Sequence, residues 1–267
     1  MAALHPSAET PDRRSALIAI LPSPRAFALA AVGAVTLVVL LSSTFNAAWT
    51  IWGGTALRVL YRAMWVDAEG NIATMLNFSL LLACSGFAVA NAVAAFAERG
   101  RWRFHWLALS ALLFLMAFDE AAQLHERLIA PVHRVLGTSG AFLFAWTIPA
   151  AAAVLVIGLL MLRFVLAQPA AVRNAIFAAA AVYLLGALGL EMVGSAIYDA
   201  SSRSFDGLGY KVATTAEETF EMAGLVILGA ALLASLRTEP TRARSVGDGC
   251  WRQRTGSTSR AVPSDWQ

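Results

Sequence analysis

The sequence predicts an all-α membrane protein, a polytopic bundle of about six transmembrane helices with both termini cytoplasmic. Three observations predict this fold class. The 267 residues are 58% hydrophobic and only 14% charged, whereas soluble proteins carry about a quarter charged residues. The apolar residues form long runs, and a helix needs roughly 20 of them to cross a bilayer. The positively charged residues lie in short connecting segments and in the tails.

Six apolar segments are predicted to cross the membrane, and little of the chain remains for a separate soluble domain. Residues 25–237 form the predicted transmembrane helix bundle. The flanking segments 1–24 and 238–267 are predicted to be disordered tails, because both are rich in Pro, Ser, Thr, Gly and Arg. The predicted spans are 27–48, 71–97, 104–126, 140–166, 174–198 and 212–236.

The segment 50–66 has the composition of a helix that lies on the membrane surface. It carries Trp52 and Trp65, together with Arg58 and Arg62 four residues apart. Trp favours the headgroup level, and a helix with one basic face lies in the interface plane. A seventh span or a re-entrant segment is the alternative.

The positive charges set the predicted orientation. With the N-terminus inside, 14 of the 20 Arg and Lys residues fall on the inner side, and basic loops favour the cytoplasm. Because these charges are scattered, the pI of about 9.2 does not indicate a nucleic-acid partner; the expected partner is the lipid bilayer. A homo-oligomer or an unknown membrane partner stays open. Only Cys84 and Cys250 are present, so no disulfide framework is predicted.

The acidic side chains gather toward the predicted outer face. Glu191 lies about seven residues from the outer end of the fifth span, which is about 10 Å deep at 1.5 Å per residue. Asp119 in the third span is about as deep, and Glu221 in the sixth lies a little deeper. An ionisable side chain at membrane depth is costly and indicates a functional site. The acids on this side are Asp67, Glu69, Asp119, Glu120, Glu126, Glu191, Asp199, Asp206, Glu217, Glu218 and Glu221.

The third span carries the densest motif, which runs Asp-Glu-Ala-Ala-Gln-Leu-His-Glu over 119–126. If the helix continues to residue 126, Asp119, Gln123 and Glu126 share one face, and His125 points about 120° away from Asp119. Glu120 and His125 then cannot reach one ion from this helix alone, so other helices must complete the site.

The fifth and sixth spans carry similar motifs, Glu-Met-Val-Gly at 191–194 and Glu-Met-Ala-Gly at 221–224. Each Gly lies one turn from its Glu, so the two antiparallel helices are expected to pack closely with both carboxyl groups at the seam. Glu191 shares its face with Ala187, Gly194, Ser195 and Tyr198. Glu217 lies on the face of Glu221, with Glu218 beside it.

Carboxyl groups clustered in a low-dielectric site must share protons, pair with bases or bind a cation. We predict that a divalent metal, Zn, Mn or Fe, is bound there, since oxygen ligands with one imidazole suit these ions. Glu120 and Glu218 are the candidates for a catalytic base if the protein is a membrane-embedded hydrolase. The predicted ligands come from Glu120, His125, Glu191, Glu218 and Glu221, and the supporting polar residues are Asp119, Gln123, Ser195, Tyr198 and Glu217.

Two other functions remain open from the sequence. One is a proton- or cation-coupled carrier with Glu191 and Glu221 as its titrating sites. The other is a structural membrane subunit whose carboxyl groups hold helices together. No haem or nucleotide is expected. For haem, His125 and His133 are separated by Pro131, which is expected to break a helix, and His133 is interpreted as a solvated loop residue.

Three motifs together resemble a family of uncharacterised multi-pass bacterial inner-membrane proteins. They are D-E-x4-H-E in the third span, L-E-M-x-G in the fifth and E-E-x2-E-M-x-G in the sixth. The resemblance covers about half of the chain. It implies a recurring architecture and a bacterial inner-membrane location, but no activity. Membrane hydrolases of the alkaline ceramidase type are similar only in being helical proteins of the membrane, because this chain lacks their set of His residues.

The predicted orientation can be tested by labelling single Cys residues from outside the cell. In a background without Cys84 and Cys250, a Cys at Gly137 or Ser202 should react with an impermeant thiol reagent, since both positions lie in predicted outer loops. A Cys at Ala171, in a predicted inner loop, should not react. Labelling of Ala171→Cys alone would invert the topology.

Overall fold

The computed structural model describes residues 13–68 and 70–238, and in these ranges the chain forms helices and turns with no strand. Glu69, Cys250 and most of the two predicted tails lie outside the described residues. The helices are α1 (Arg13–Ile20), α2 (Pro24–Trp52), α3 (Thr55–Met64), α4 (Ile72–Ala97), α5 (Arg103–Ala122), α6 (Glu126–Leu136), α7 (Thr147–Leu166), α8 (Ala170–Leu184), α9 (Glu191–Ala200) and α10 (Leu208–Arg237).

Six helical segments of the described chain are long and apolar enough to cross a membrane, which confirms the predicted number and indicates a membrane protein. The first contains α1 and α2, and the fifth contains α8, a π-helical turn (Leu185–Leu190) and α9. The third and fourth are shorter than predicted, because the chain between Ala122 and Thr147 leaves the bundle axis to form α6. The segments are Arg13–Trp52, Ile72–Ala97, Arg103–Ala122, Thr147–Leu166, Ala170–Ala200 and Leu208–Arg237.

The two ends of the bundle differ in the carboxyl groups that the spans carry near them. We name the end with segments 53–71, 123–146 and 201–207 the acidic end, because Glu120, Glu191 and Glu217 lie in the spans close to it. The end with segments 98–102 and 167–169 is named the basic end, after Arg99 and Arg101. At the basic end, α1 forms where the sequence predicted part of a disordered tail. Its Leu17 and Ile18 pack against Ala90, Ala94 and Leu236. Arg14 Nε lies 2.7 Å from a carboxylate oxygen of Glu98, so an apolar contact and an ion pair hold α1 to α4.

α10 is the central helix, and it packs against α2, α4, α8 and α9. Small residues allow the close approach: a Cβ at Gly224 would lie 2.7 Å from the Cβ of Tyr183, and one at Gly186 would lie 2.7 Å from the carbonyl oxygen of Glu217. Gly194, which the sequence placed at this seam, has no neighbouring atom closer than 3.8 Å. Close packing between these helices therefore depends on Gly186 and Gly224.

Buried polar groups also join the central helices. Asn91 Nδ2 of α4 donates to the carbonyl oxygen of Leu232 in α10 at 2.9 Å. Ser85 Oγ of α4 donates to the carbonyl oxygen of Ser110 in α5 at 3.0 Å. In an apolar medium such bonds between helices stabilise a bundle by about 0.6 to 2 kcal/mol each, so α4, α5 and α10 form a bonded core.

Two short amphipathic helices lie at the acidic end. α3 has 10 residues, which is too short to cross a bilayer and rules out a seventh span there. The sequence did not predict α6. Pro131 lies inside this helix instead of ending it, although it removes one backbone hydrogen bond. The interpretation of His133 as a loop residue is therefore wrong; His133 is helical, and its Nδ1 lies 2.9 Å from Thr138 Oγ1.

α7 is the span least held by the rest of the bundle. Only Thr147 and Phe164 are buried in it. Phe164 packs its ring against Trp106 of α5 with ring centroids 4.7 Å apart, close to the basic end. Between these two residues α7 turns apolar side chains to the outside and to a cavity, so its middle part packs loosely against α5 and α8.

The tight contact at Gly224 predicts a large loss of stability from a single methyl group. Gly224→Ala should lower the free energy of unfolding by about 1–3 kcal/mol, because the added Cβ collides with backbone and Cβ atoms of Tyr183. Gly33→Ala in α2 is the matched control, since nothing lies within 4 Å of its Cβ; it should be neutral or stabilising. Thermal unfolding of the purified proteins checks both. Equal melting temperatures for the two variants would contradict the packing.

Candidate functional site: a carboxyl-lined cavity

The motif at 119–126 folds back on itself at the end of α5. Gln123 adopts a left-handed conformation with φ 55° and ψ 42°, and its N–H donates to the carbonyl oxygen of Asp119 at 2.7 Å. The reversal returns His125 to Asp119. The His125 N–H donates to Asp119 Oδ1 at 2.9 Å, and its Nδ1 lies 2.9 Å from Asp119 Oδ2. The predicted helix over 123–126, with His125 pointing away from Asp119, is therefore wrong, because a left-handed residue ends the helix.

A cavity of about 790 Å³ lies between α5, α7, α8 and α10 at the acidic end. Carboxyl groups of the third, fifth and sixth spans meet there, as the matched depths in the sequence predicted. Of the ten predicted ligands and supporting residues, Gln123, Ser195 and Tyr198 do not line the cavity. The ionisable side chains that line it are Asp67, Asp119, Glu120, His125, Glu126, Tyr183, Glu191, Tyr210, Glu217, Glu218 and Glu221.

A buried amide links the carboxyl groups of α5 and α10. Asn77 of α4 is 1% exposed, and its Nδ2 donates to Glu120 Oε1 at 3.2 Å and also hydrogen bonds Glu221. Asn77 Oδ1 is buried without a donor. Since an amide oxygen needs a donor when it is buried, water or a protonated carboxyl group has to approach it. Asn77 therefore holds two carboxyl groups together, and its own Oδ1 is the acceptor that still needs a donor.

A second pair of carboxyl groups joins α9 to α10. Trp146 Nε1 donates to Glu191 Oε1 at 2.6 Å, and the carboxyl group of Glu191 lies within hydrogen-bonding range of that of Glu217. Glu217 is 8% exposed, and its Oε2 has no donor group within reach. Two carboxyl groups can hydrogen bond to each other only when one of them carries a proton. This pair is therefore arranged to hold a proton.

The π-helical turn at Leu185–Leu190 directs Glu191 toward Glu217. This turn immediately precedes Glu191 and contains Gly186, where an added Cβ would lie 2.7 Å from the carbonyl oxygen of Glu217 in α10. A π-helical turn has more residues per turn than an α-helix and rotates the side chains that follow it; such turns are frequent at functional sites.

The loop between α6 and α7 is held in place by α9. Ser195 Oγ donates to the carbonyl oxygen of Gly140 at 2.8 Å and accepts the N–H of Phe144 at 3.1 Å. Asp199 Oδ2 accepts the N–H of Gly140 at 2.7 Å. Ser195 thus positions the loop that carries Trp146 into the cavity wall. Tyr198 packs nearby against Phe205, with ring centroids 4.2 Å apart.

Asp67 forms part of the cavity wall in the connection between α3 and α4. Its carboxylate accepts hydrogen bonds at 3.3 Å from Trp65 Nε1 and from Tyr210 Oη. Burial raises the pKa of Asp67 to about 6, and the nearby carboxylate of Glu191 adds to this effect, although both hydrogen bonds oppose it. Asp67 therefore titrates in the physiological range.

The only lysine of the chain does not neutralise the cavity. Lys211 Nζ donates to Asn46 Oδ1 at 3.0 Å and lies 5.7 Å from the ring of Trp49, 5.6 Å from that of Tyr61 and 6.0 Å from that of Trp65. This aromatic cage uses cation–π attraction to hold α10 against α2 and α3. Among the described residues that line the cavity there is no Arg or Lys.

The sequence interpretation missed Asn77 and Trp146 as site residues. A single amide within an apolar span is a signal for a hydrogen bond between helices, and it could have indicated Asn77. Trp146 was assigned to the interior of a predicted span. Its role depends on the loop geometry set by Ser195 and Asp199, which spacing alone does not show.

The described residues contain no group of three or more His, Cys, Asp or Glu side chains arranged to hold a metal ion. The prediction of bound Zn, Mn or Fe thus stays a prediction without a ligand set. His125 Nδ1 lies toward Asp119, and the carboxyl group of Glu191 in α9 faces that of Glu217 in α10.

Fold and site together define a class of protein: a helical membrane protein with a cavity rich in carboxyl groups. A family model described as Domain of unknown function (DUF8692) matches residues 27–236, so the chain belongs to this family. This is in keeping with the resemblance to an uncharacterised family, and the match spans all six membrane segments. Comparison with curated proteins and with solved structures gave no match.

The raised pKa of Asp67 predicts a specific pH dependence of stability. Its folded-state pKa of about 6 exceeds the ordinary value of 3.8, so the folded state binds this proton more tightly than the unfolded state. Stability from this group is therefore present at low pH and decreases as the pH rises from about 4 through 6. Asp67→Asn should remove this component and flatten the decrease in melting temperature between pH 5 and pH 7. Asp206→Asn, at an exposed loop position, is the control; an Asp67→Asn profile that coincides with it would contradict the assignment.

Proposed function

We propose that this protein is a proton-coupled carrier of organic cations, with the carboxyl-lined cavity as its binding site. The observation that supports this most directly is the charge of the cavity wall: many carboxyl groups, one imidazole, and no Arg or Lys among its described residues. A cavity of about 790 Å³ is within the range of small-molecule sites, roughly 300–1,000 Å³, and far exceeds the needs of a single metal ion.

Aromatic rings complete a site of this chemistry. Trp65, Phe144, Trp146, Phe205 and Tyr210 line the cavity together with the carboxyl groups. Aromatic faces attract ammonium groups through their quadrupole, and more strongly when water is excluded. The cage around Lys211 uses the same chemistry within the chain.

Exchange of protons for the cation follows from the paired carboxyl groups. Two adjacent carboxylates in a low dielectric cannot both remain charged, so the neighbouring carboxyl groups of Glu191 and Glu217 would share a proton whenever no cation neutralises them. An arriving cation supplies the neutralising charge and releases that proton. Glu217 Oε2 is buried without a hydrogen-bond partner, so it is an acceptor that an arriving cation would satisfy.

The orientation and location belong to this proposal. With both termini in the cytoplasm, the cavity opens toward the outer face of a bacterial inner membrane. The basic loops would then lie inside, as positive-inside topology requires. α7, buried only at Thr147 and Phe164, is the wall whose movement would change access to the cavity.

Binding of tetraethylammonium tests the site. It should raise the melting temperature of the purified protein more at pH 8 than at pH 6, because binding to the folded state stabilises it. If one proton is released, the apparent Kd should decrease by up to about tenfold per pH unit. Glu217→Gln preserves size and removes the charge, and it should abolish the pH dependence and weaken binding by about tenfold or more. Asp206→Asn should bind as the wild type does.

If tetraethylammonium leaves the melting temperature unchanged at every pH, the cation site is refuted. Stabilisation by Zn²⁺ or Mn²⁺ instead, lost in Glu217→Gln, would support the metal hypothesis in its place. For the carrier step, proteoliposomes should release internal protons when the cation is added outside. If the cation binds in a pH-dependent manner but no such proton movement follows, the protein binds the cation without carrying it across the membrane.

A further inference from the structure

A second, apolar space adjoins the cavity between α5 and α7. It has a volume of about 160 Å³, and its walls are Ala108, Leu109 and Leu112 of α5 with Ile157, Leu160 and Met161 of α7. We name this space the α5–α7 groove. Leu112 and Ile157 line both the groove and the cavity, so the two spaces are separated by no more than these two side chains.

The groove has a defined direction within the bundle. On α5 the cavity carboxyl group of Glu120 and the groove residue Leu109 are 11 residues apart, which is about 16 Å along a helix. At the far end of the groove, Phe164 of α7 packs against Trp106 of α5 and closes the gap. The space therefore begins at the carboxyl groups and runs toward the basic end between two membrane-spanning helices.

The groove borders the surface that faces lipid. Phe114 and Leu115 of α5 are 54% and 61% exposed, and Leu155 and Leu159 of α7 are 63% and 64% exposed. Neither α5 nor α7 has another helix of the described chain over these faces. A ligand that enters between α5 and α7 from the bilayer would thus have its apolar part in the groove as its charged part reaches the carboxyl groups.

We infer that the cation bound in the cavity is the head group of a single-chain amphiphile whose apolar chain lies in the α5–α7 groove. This inference rests on the proposed function and narrows its substrate class from organic cations to cationic amphiphiles. The cavity supplies the charge complementarity and the groove supplies a continuous apolar lining. A cation without a chain would leave the groove unfilled, and an apolar chain without a cation would leave the carboxyl groups unneutralised.

Three probes separate the head from the chain, with the full-length protein in phosphatidylcholine nanodiscs. Tetramethylammonium has the charged head alone, dodecyltrimethylammonium has the same head with a chain, and dodecyl maltoside has the chain with an uncharged head. We expect dodecyltrimethylammonium to raise the melting temperature at concentrations about tenfold or more below those needed for tetramethylammonium. Dodecyl maltoside should have no comparable effect.

Two Phe substitutions on α5 distinguish the groove from general partitioning into the bilayer. Ala108→Phe fills the groove and should lower the affinity for dodecyltrimethylammonium by about tenfold. The affinity for tetramethylammonium should stay within about twofold of the wild-type value. Ala111→Phe is the same change on the same helix, at an exposed position outside the groove, and both affinities should be unchanged.

The outcomes separate the two proposals. If tetramethylammonium and dodecyltrimethylammonium both bind but Ala108→Phe affects neither, the chain does not use the groove, and the inference is overturned while the cation site stands. Equal stabilisation by dodecyl maltoside would show an apolar site without charge selection and would also overturn it. If neither cation stabilises the protein, the proposed function fails and the inference fails with it.

Discussion

Carboxyl groups at membrane depth need protons, donors or a cation nearby, and the structure around the cavity is organised by this need. Trp146 donates to Glu191 and Asn77 donates to Glu120, and each donor comes from a different element. To bring Trp146 there, the loop before α7 is held by Ser195 and Asp199. Leaving charged groups unpartnered in an apolar medium costs several kcal/mol, and these contacts join residues that are 43 to 59 positions apart in the sequence.

α10 joins the polar and apolar parts of the molecule. Its first half carries Lys211 and the three Glu residues that face the cavity, and its second half fills the core with Leu232, Leu233 and their neighbours. Gly224 marks the border between the halves and allows α8 to approach. The same helix therefore fixes the position of the carboxyl groups through packing that lies outside the site. α7, by contrast, contacts this core mainly through Phe164, which gives the cavity one firmly packed wall and one loosely packed wall.

Hydropathy and charge predicted the all-α membrane fold and the six spans, because a bilayer imposes a length and an apolar composition on every crossing helix. The depth of each residue along its helix also predicted that Asp119, Glu191 and Glu221 lie at one level, and all three line the cavity. The errors have different causes: one helix ends without a sequence signal, another continues through a proline, and one contact depends on tertiary packing. Gln123 is neither Gly nor Pro, yet it takes the left-handed conformation that reverses the chain. Pro131 was expected to break a helix and instead costs α6 one backbone hydrogen bond. Asn77 contacts Glu120 across 43 residues, a pairing that only tertiary packing determines.

The π-helical turn before Glu191 fixes the directions in which the later side chains of the fifth span point. Relative to a regular α-helix, such a turn behaves as an inserted residue, and one residue corresponds to about 100° of helical rotation. If Leu185–Leu190 took regular α-helical geometry at its present length, Glu191, Ser195 and Asp199 would swing by about 100° to another side of the helix. Deleting one residue together with the π-helical turn would instead leave these side chains in phase. Within the family, a one-residue gap here is therefore compatible with the carboxyl pair, whereas a regular helix of the full length is not.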